Sequence, residues 1–258
     1  MRSKKNDKSK SLSLAVYFGG LVLIIIVISL CFKVFETIKH SKFDGSHHFT
    51  VAVFNNKTLN IVSVSPQDHK ISKLVIGNVG DFSDVEGTGL SIDAKIKTND
   101  PVNSGPKTFF LSLIKNYRSL NGNITILDLI RLESFAFSVG SDNISDEKID
   151  NLNSSSIETQ IKNISLDKAV VDENKNVQVI NTTSTGGLGN RIAKIVTNLG
   201  ANVVLVGSSR ESDKSVILYQ SESYTAKELS KIFNIPLKKN DQSSISDITI
   251  ILGKDFNK

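Results

Sequence analysis

Apolar residues are concentrated in one uninterrupted segment near the N-terminus. Residues 11–32 contain no charged side chain, and their centre is the run Leu21-Val22-Leu23-Ile24-Ile25-Ile26-Val27-Ile28. At about 1.5 Å of rise per residue, this segment makes a helix of about 33 Å, which is long enough to cross the hydrocarbon core of a membrane. A single segment in lipid satisfies its backbone hydrogen bonds only as a helix. We therefore predict a transmembrane helix over residues 11–35.

Basic residues around this segment set its expected orientation. Five Lys or Arg residues lie within residues 1–10, which we interpret as a cytoplasmic tail. The positive-inside rule then places the chain from about residue 36 onward outside the cell. A cleaved signal peptide is the competing interpretation, but the apolar run is long and Ser29-Leu30-Cys31-Phe32 offers no small-x-small cleavage site. Lipoprotein processing at Cys31 is disfavoured because bulky Leu30 precedes it.

Strand-like patterns follow the membrane segment. Residues 49–54 and 59–64 flank the polar turn Asn55-Asn56-Lys57-Thr58, and this spacing predicts a β-hairpin. Residues 70–76 predict a third strand. A loop rich in Gly and Asp is expected from there to about Asp100.

Helical spacing then replaces the strand pattern. Gly105-Pro106 opens a helix whose apolar residues recur every three or four positions until Asn121-Gly122. Thr125 and Asp128 have the spacing of a capping box, which predicts another helix to about Phe137. We expect residues 43–140 to form one α/β module.

The composition changes between residues 141 and 175. Asn, Ser, Asp and Lys dominate, apolar residues are isolated, and Asn153-Ser154-Ser155-Ser156 lies at the middle. This composition predicts a linker with at most one helical turn, around residues 146–152.

Residues 176–256 have the most regular pattern of the chain. Apolar strands alternate with two amphipathic helices, the first ending at Gly200 as its C-cap and the second N-capped by Thr225. The predicted strands and helices are 177–180, 188–199, 203–206, 216–219, 225–235 and 248–252. Their β-α-β-β-α-β order is typical of a ferredoxin-like sandwich. The predicted fold class is thus α+β, with one N-terminal transmembrane helix, an α/β module and a C-terminal ferredoxin-like domain.

The excess of positive charge lies in the residues on either side of the membrane segment. Residues 1–42 carry eight Lys or Arg against two acidic residues, and the remainder carries 23 basic against 24 acidic residues. A nearly neutral ectodomain lacks the field that gathers nucleic-acid phosphates, so we expect no nucleic-acid partner. Cys31 is the only cysteine, so no intramolecular disulfide can form and the ectodomain depends on packing. A domain without disulfides outside the membrane is more typical of bacterial envelopes than of animal secretion.

One glycine-rich turn is a candidate anion site. A helix is predicted after the segment Thr185-Gly186-Gly187-Leu188-Gly189. The glycines of this segment resemble the start of a dinucleotide-binding unit. The third glycine is absent at Ile192, and too few residues follow to complete a doubly wound sheet. A turn and cap is the simplest interpretation. The alternative is a weak anion-binding turn, whose residues would be Asn181, Gly186, Gly187 and Gly189.

Other candidate sites have simpler interpretations. Asp81, Asp84 and Glu86, with Asp93 nearby, suggest calcium, but the spacing lacks the alternation of a known calcium loop, and a solvated turn is favoured. His47-His48 lacks a nearby metal-ligand partner. Tyr224 and Lys227 have the wrong spacing for an oxidoreductase pair. We therefore predict no catalytic residue, no metal site and no cofactor.

The C-terminal region carries a resemblance to a known family. Residues 177–193, which read Val-Gln-Val-Ile-Asn-Thr-Thr-Ser-Thr-Gly-Gly-Leu-Gly-Asn-Arg-Ile-Ala, and the terminal residues 246–256 are the stretches concerned. They resemble the C-terminal domain of LytR-CpsA-Psr proteins of bacterial cell envelopes, in which a strand precedes Asn-Gly-Thr and the domain ends in Asp-Val-Thr-Val-Val-Leu-Gly. Thr182 stands where the family usually has Gly. The resemblance implies that residues 176–256 are a domain of this type.

Residues 49–137 more faintly resemble the catalytic LytR-CpsA-Psr domain, and residues 59–76 resemble its strand–turn–strand. That family has Arg-Ser-Asp before the first strand and Pro-Arg-Asp after the second. The arginines of these motifs bind a lipid pyrophosphate. The corresponding positions here are Asn56-Lys57-Thr58 and Gly77-Asn78-Val79. Guanidinium groups bind phosphate oxygens in pairs, and between residues 43 and 175 the only arginines are Arg118 and Arg131. We therefore interpret residues 43–140 as a degenerate module.

Two functions remain open at this point. The first is a membrane-anchored, extracytoplasmic module without catalysis that binds a wall polymer or an envelope protein. The second is a divergent phosphotransferase that attaches polyprenyl-linked glycans to the cell wall. The sequence identifies neither the ligand nor the oligomeric state.

Overall fold

The computed structural model describes residues 6–102, 104–152, 156–241 and 245–256. Two compact units are present, residues 1–41 and residues 42–258. The first unit contains one long helix, α1 (Asn6–Lys39). Its stretch Val16–Lys39 is long and apolar enough to cross a membrane, and none of it is buried by other parts of the protein.

Helix α1 is longer than the predicted transmembrane segment. It begins within the expected tail of residues 1–10 and runs beyond residue 35. Large apolar side chains along it are exposed, including Phe18, Leu23 and Ile28. Such a surface is stable in lipid or against other apolar groups, not in water. The apolar N-terminal helix predicted from the sequence is present.

The second unit begins with a six-stranded mixed sheet. Its strands are β1 (Phe49–Asn55), β2 (Thr58–Ser65), β3 (Lys70–Ile76), β4 (Ala94–Lys97), β5 (Asn121–Gly122) and β6 (Ile144–Ile149), in the spatial order β5-β4-β1-β2-β3-β6. Strands β1, β2 and β3 form an antiparallel meander, which contains the predicted hairpin of β1 and β2 and the predicted third strand. Asn56 and Lys57 have positive φ angles, which is typical of a two-residue hairpin turn.

Helices cover both faces of this sheet. On one face lie α3 (Phe109–Lys115) and α4 (Ile126–Ser138), and on the other lie α2 (Ser83–Glu86) and α5 (Ile157–Ser165). Alternate residues of the strands feed the two cores, so that Val51 and Val53 face α3 and α4 while Ala52 faces the opposite side. The capping box of Thr125 and Asp128 is present at the start of α4.

The expected linker over residues 141–175 is wrong, because this segment contains regular structure. It supplies the edge strand β6, which pairs in parallel with β3, and the helices α5 and α6 (Lys168–Glu173). The isolated isoleucines of α5, namely Ile157, Ile161 and Ile164, have helical spacing and are buried in the core. Strand β6 is mostly polar, and its backbone hydrogen bonds with β3 hold it at the edge of the sheet. Residues 153–155, the centre of the expected linker, lie outside the described residues.

The remaining residues form a five-stranded sheet with two helices on one face. The strands are β7 (Asn176–Asn181), β8 (Asn202–Ser208), β9 (Val216–Tyr219), β10 (Leu237–Lys239) and β11 (Ile248–Leu252), and the helices are α7 (Leu188–Leu199) and α8 (Tyr224–Phe233). The spatial order is β10-β9-β11-β7-β8. Apolar side chains of both helices pack on Val177, Val179 and Ile250 to form one core.

The α+β class is confirmed, but the strand order is not that of a ferredoxin-like sandwich. In the split β-α-β arrangement, another strand lies between the two strands that a helix connects. Here β7 and β8 are direct parallel neighbours, and β11 lies on the other side of β7. The order of elements along the chain does not determine which strands pair. The sheet also contains an additional strand, β10, which pairs with β9. The N-cap of α8 is Ser223, not Thr225.

Candidate functional site

Four parallel strands of the first sheet end at the same edge. Strands β1, β3, β4 and β6 run in one direction, because β1 and β3 both pair antiparallel with β2 and in parallel with β4 and β6 respectively. Ligands of open α/β sheets commonly bind at the carboxyl ends of such strands. We call this edge, formed by residues 55–58, 77–81 and 97–100, the strand-end site.

The strand-end site brings together the two segments at which the faint resemblance to the catalytic family would place arginine motifs. The N–H of Val79 donates to the carbonyl oxygen of Lys57 at 3.0 Å, so the segments Asn56–Thr58 and Gly77–Val79 are direct neighbours. Neither segment contains a guanidinium group. Arg131 is engaged elsewhere, where its Nη1 donates to the carbonyl oxygen of Phe43 at 3.2 Å.

The best-placed cation of the strand-end site is already paired. Lys97 Nζ lies 3.0 Å from Asp81 Oδ1, and it also lies over the rings of Phe54 and Phe82 at 5.9 and 5.6 Å from their centroids. The ammonium group holds the pKa of Asp81 below its ordinary value. Exposed Lys57 in the hairpin turn is a second cation at this edge. An ammonium is a point charge and cannot form the bidentate pair that an arginine makes with phosphate.

The acidic loop that suggested calcium turns its carboxylates toward backbone groups. Asp84 Oδ2 accepts the N–H of Gly80 at 2.7 Å, and Asp93 Oδ2 accepts the N–H of Thr50 at 2.8 Å. The side chain of Glu86 lies outside the described part of the chain. Within the described ranges, no three His, Cys, Asp or Glu side chains are placed to hold a metal ion.

Two of the four candidate residues of the glycine-rich turn, Asn181 and Gly189, have structural roles within the domain. Asn181 Nδ2 donates to the carbonyl oxygen of Thr185 at 2.9 Å, and its Oδ1 accepts the N–H of Thr183 at 3.0 Å. A Cβ on Gly189 would lie 3.2 Å from Val206 Cγ1, so this glycine allows α7 to approach β8. Gly187 is the N-cap residue of α7 with φ +76°, and Gly186 faces open space.

A second polar region joins the two sheets, and the sequence did not predict it. It includes residues 42–48, which we call the entry segment because they follow α1 in the chain. Asp128 Oδ1 accepts the N–H groups of Lys42 and Phe43 at 2.8 and 2.9 Å. The imidazole of His47 stacks on the ring of Tyr224 at the start of α8, with centroids 5.2 Å apart. The entry segment is therefore held by α4 and by α8.

Asp44 adds an ionic contact to this junction. Its Oδ2 lies 2.6 Å from His47 Nδ1 and 3.2 Å from Lys231 Nζ on α8. Burial opposes the ionisation of Asp44, but the N–H groups of Ser46 and His47 and the charge of Lys231 outweigh it. The pKa of Asp44 therefore lies well below its ordinary value.

The interior of the junction contains several buried polar side chains. Glu228 on α8 has no solvent exposure, and neither carboxylate oxygen has a hydrogen-bond partner among the described residues. Burial raises the pKa of Glu228 to about 8; Lys231 opposes this shift, whereas Asp93 and Asp167 add to it. Burial also lowers the pKa of His48, whose Nε2 lies 2.6 Å from Ser63 Oγ.

Tyr224 is a structural residue of this junction. Its hydroxyl donates to Asp167 Oδ2 at 2.8 Å, and burial, together with the charges of Glu228 and Asp167, raises its pKa far above the ordinary value. A general base or nucleophile needs a lowered pKa, so this hydroxyl is unsuited to either task. One signal in the sequence could have found Glu228, because this residue lies four positions before the apolar Ile232 and therefore on the same face of the predicted helix.

A cavity of about 370 Å³ lies between β3, β6 and α5. Its lining combines polar side chains, among them Lys70, Ser72 and Glu147, with the apolar side chains of Leu74, Ile164 and Leu166.

The fold and the apolar helix together indicate a membrane-anchored protein. An apolar helix that is able to cross a membrane precedes an α+β region with two sheets. Residues 174–256 match the family model LytR_C, described as LytR cell envelope-related transcriptional attenuator. The C-terminal domain therefore belongs to the LytR_C family, and the resemblance noted in its sequence is confirmed. Together with the apolar helix, this domain indicates a membrane-anchored cell-envelope protein. Comparison with curated proteins and with solved structures gives no significant match.

Proposed function

We propose that this chain is a single-pass envelope protein whose extracytoplasmic region binds a wall polymer or an envelope protein without catalysing a reaction. The observation that carries the proposal is the LytR_C domain at residues 174–256 on the same chain as an apolar span. The basic residues before the span support a cytoplasmic N-terminus and an extracytoplasmic position for residues 42–256.

The chemistry of the strand-end site supports binding over catalysis. Phosphoryl transfer depends on cations that are positioned against developing charge on the phosphate oxygens. The two converging segments of this site supply amides and one lysine, and Lys97 is neutralised by Asp81. The weak anion-binding turn at Asn181, Gly186, Gly187 and Gly189 stays a prediction, and it would supply only the N–H groups of α7.

A co-sedimentation experiment tests the proposed binding. The full-length chain in nanodiscs is mixed with isolated bacterial wall material, and the bound fraction is measured against empty nanodiscs and against nanodiscs that hold an unrelated single-pass protein. We expect saturable binding of this chain alone. Binding no greater than that of the unrelated protein, together with no envelope protein recovered by cross-linking in cells, would refute the proposal.

A divergent phosphotransferase is the second candidate. The contact between Val79 and Lys57 favours it, because the two motif-equivalent segments meet as the catalytic family resemblance implies. A polyprenyl-pyrophosphate-linked saccharide is incubated with the same nanodiscs, and transfer of the saccharide is measured. We expect none. Turnover that is lost in Lys57→Ala and retained in Arg118→Ala with Arg131→Ala would establish this second function at the strand-end site.

The proposed orientation has a separate test. Two reporters, one that is active only in the cytosol and one that is active only outside the membrane, are fused after Lys258. We expect activity of the external reporter alone. Activity of the cytosolic reporter alone would remove the compartment on which the envelope role depends.

A further inference from the structure

Three serines form a row across the first sheet, on the face that α5 covers. Ser72 of β3 pairs in register with Ser63 of β2 and with Ser145 of β6. Ser72 lies two positions from Leu74, which packs in the core beneath α5, so the row points to the same side. Leu74 and Ile61, in the next row, fill the space beneath α5, whereas serine side chains are too small to do so. The cavity of about 370 Å³ between β3, β6 and α5 lies along this row of serines.

The cavity is open to solvent at its rim. Lys70, Glu147 and Asn163 are exposed residues that line it, and Leu166 at the same rim is 41% exposed. A smaller hollow of about 50 Å³ shares Lys70, Ser72 and Asn163 with the cavity, and the two together form one groove. We call it the serine groove. Its volume lies within the range of about 300–1,000 Å³ that is typical of sites for small ligands.

Several polar side chains of the serine groove lack protein partners. Among the residues that the structure describes, none forms a hydrogen bond with the side chains of Ser72, Ser145, Gln160 or Asn163. Ser63, in the same row, is by contrast bonded to a histidine ring nitrogen at 2.6 Å. Ser72 is only 8% exposed, and a hydroxyl group that is buried to this degree normally has a partner. The serine groove therefore presents unused donors and acceptors to a bound molecule.

The charges of the serine groove disfavour a polyanion. Lys70 and Glu147 supply one cation and one anion at the rim. Lys73 also lines the cavity, but its ammonium group is turned to the other face of the sheet, where it donates to the carbonyl oxygen of Ser104 at 2.7 Å. A phosphate-rich polymer would therefore find no excess of positive charge.

The remaining side chains define the class of ligand. Hydroxyl and amide groups both donate and accept hydrogen bonds, which matches the hydroxyl groups of a saccharide. Ile164 and Leu166 add apolar surface, which suits the methyl of an acetamido group beside the amides of Gln160 and Asn163. We propose that the serine groove binds an uncharged, N-acetylated saccharide segment of the cell wall. The inference rests on the proposed function and deepens it, because it names the site and the class of wall component.

A peptide that pairs with the edge strand β6 is the competing occupant. Strand β6 carries three consecutive charged residues over 146–148, and such charges protect an edge strand from pairing with another strand. The saccharide is favoured for this reason.

Binding of a defined saccharide tests the inference. The probe is the tetramer of N-acetylglucosamine, and its comparison is cellotetraose, which lacks the acetamido groups. The full-length chain in nanodiscs is titrated with each probe, and microscale thermophoresis measures the Kd. We expect saturable binding of the acetylated probe and at least about tenfold weaker binding of cellotetraose. No binding of the acetylated probe, or equal affinity for the two, would overturn the inference.

Variants assign the binding to the serine groove. Ser72→Leu fills the floor of the groove, and we expect it to abolish saturable binding. Gln160→Ala with Asn163→Ala removes both amides from α5, and we expect the Kd to rise at least about tenfold. The matched control is Thr159→Ala with Lys162→Ala, two truncations on the same helix outside the groove, which should change the Kd by less than about twofold.

The double variant keeps the test decisive if Ser72→Leu fails to fold. Gln160 and Asn163 make no described hydrogen bond, so their truncation should preserve the native circular dichroism. Wild-type affinity in this folded double variant would overturn the inference. The third probe is the soluble peptide fraction that an amidase releases from isolated wall. Binding of that fraction, with loss in the double variant, would assign the groove to a peptide and also overturn the inference.

Co-sedimentation with wall material separates this inference from the proposed function. Wall binding that is the same in the wild type, in Ser72→Leu and in the double variant would overturn the serine groove as the site and leave the proposed function intact. Specific binding of the acetylated probe, without any binding of wall material or of an envelope protein, would support the groove and refute the broader function.

Discussion

The hydroxyl of Tyr224 donates a 2.8 Å hydrogen bond to Asp167, a carboxylate with no solvent exposure. Asp167 also accepts the N–H of Ala169, so it N-caps α6 while it binds the first residue of α8. This single carboxylate connects two helices that are 57 residues apart in the chain. The pair therefore stabilises the junction through which α8 contacts the entry segment.

Removal of that hydroxyl should destabilise the protein without changing its shape. In Tyr224→Phe, the ring can still stack on His47, but the buried carboxylate loses one donor, which costs about 1–3 kcal/mol. Urea denaturation of the full chain in micelles, followed by near-UV circular dichroism, measures the loss. The control is Tyr219→Phe, whose hydroxyl makes no hydrogen bond with the residues that the structure describes, and we expect a change below about 0.5 kcal/mol. Equal losses for the two variants would show that the hydrogen bond to Asp167 contributes little.

Glu228 should make the stability of the protein fall as the pH rises from about 4.5 to about 8. Burial raises its pKa in the folded state to about 8, whereas the unfolded chain has an ordinary carboxyl pKa. The folded state thus binds more protons than the unfolded state between these two values, and stability decreases as pH rises toward about 8. For this group alone, we expect a loss on the order of 2 kcal/mol between about pH 6 and pH 9.

The matched variant for this pH dependence is Glu228→Gln, which keeps the shape of the side chain and cannot ionise. Its unfolding free energy should depend less steeply on pH, and it should exceed that of the wild type at about pH 9. Parallel pH profiles of the two proteins would rule out Glu228 as their cause. Asp44 does not interfere, because its pKa is lowered and its contribution is lost only in strong acid.

Asp128 should contribute more to the free energy of unfolding than an ordinary helix cap does. Its Oδ2 accepts the N–H of Thr125 at 3.0 Å in the capping box, while its Oδ1 accepts the N–H groups of Lys42 and Phe43. Asp128→Ala leaves these buried donors without the carboxylate, and we expect a loss of about 2–4 kcal/mol. Thr125→Ala removes only one side of the cap and should cost about 1 kcal/mol. Limited proteolysis within residues 42–48 should accelerate only in Asp128→Ala, and cleavage at the wild-type rate would show that the entry segment has other restraints.

Gly253 should tolerate no side chain. A Cβ at this position would lie 2.6 Å from the carbonyl oxygen of Lys214 and 2.7 Å from the nitrogen of Ser215, both of which are backbone atoms that cannot move aside. Gly253→Ala should therefore cost about 3 kcal/mol or more. Gly186→Ala is the control in the same domain, because no atom lies within 4 Å of its Cβ position, and its effect should stay within about 0.5 kcal/mol. Melting temperatures of the two variants are the measurement, and similar values would contradict the close contact.

Local patterns were sufficient to predict many of the helices and strands. The bounds of β3, α7, β9 and β11 were predicted to the residue, since each has a clear apolar period and distinct flanking residues. The capping box of α4 was also predicted, because its two residues lie three positions apart and need no distant partner. Helix α5 was missed, although its isoleucines have helical spacing, because the surrounding Asn and Ser residues dominated the composition.

One of the candidate sites could be predicted from the sequence, and another could not. The two segments at which the faint resemblance would place arginine motifs could be named from the sequence, and so could their lack of arginine. Their contact through Val79 and Lys57 depends on the antiparallel pairing of β2 with β3, which the structure shows and the sequence did not predict. The junction of Asp44, Tyr224 and Glu228 could not be found in this way, because its members come from segments more than a hundred residues apart.

The apolar membrane-length segment, most strands and helices, and the lack of arginine at the strand-end site can all be read from the amino-acid sequence. These properties depend on residue type and on neighbours within a few positions. The order β10-β9-β11-β7-β8, the open edge at β8 and the burial of Glu228 became visible only in the folded chain. Pairing of strands and loss of solvent are contacts between distant segments, and their free energies depend on the whole assembled core rather than on any local pattern.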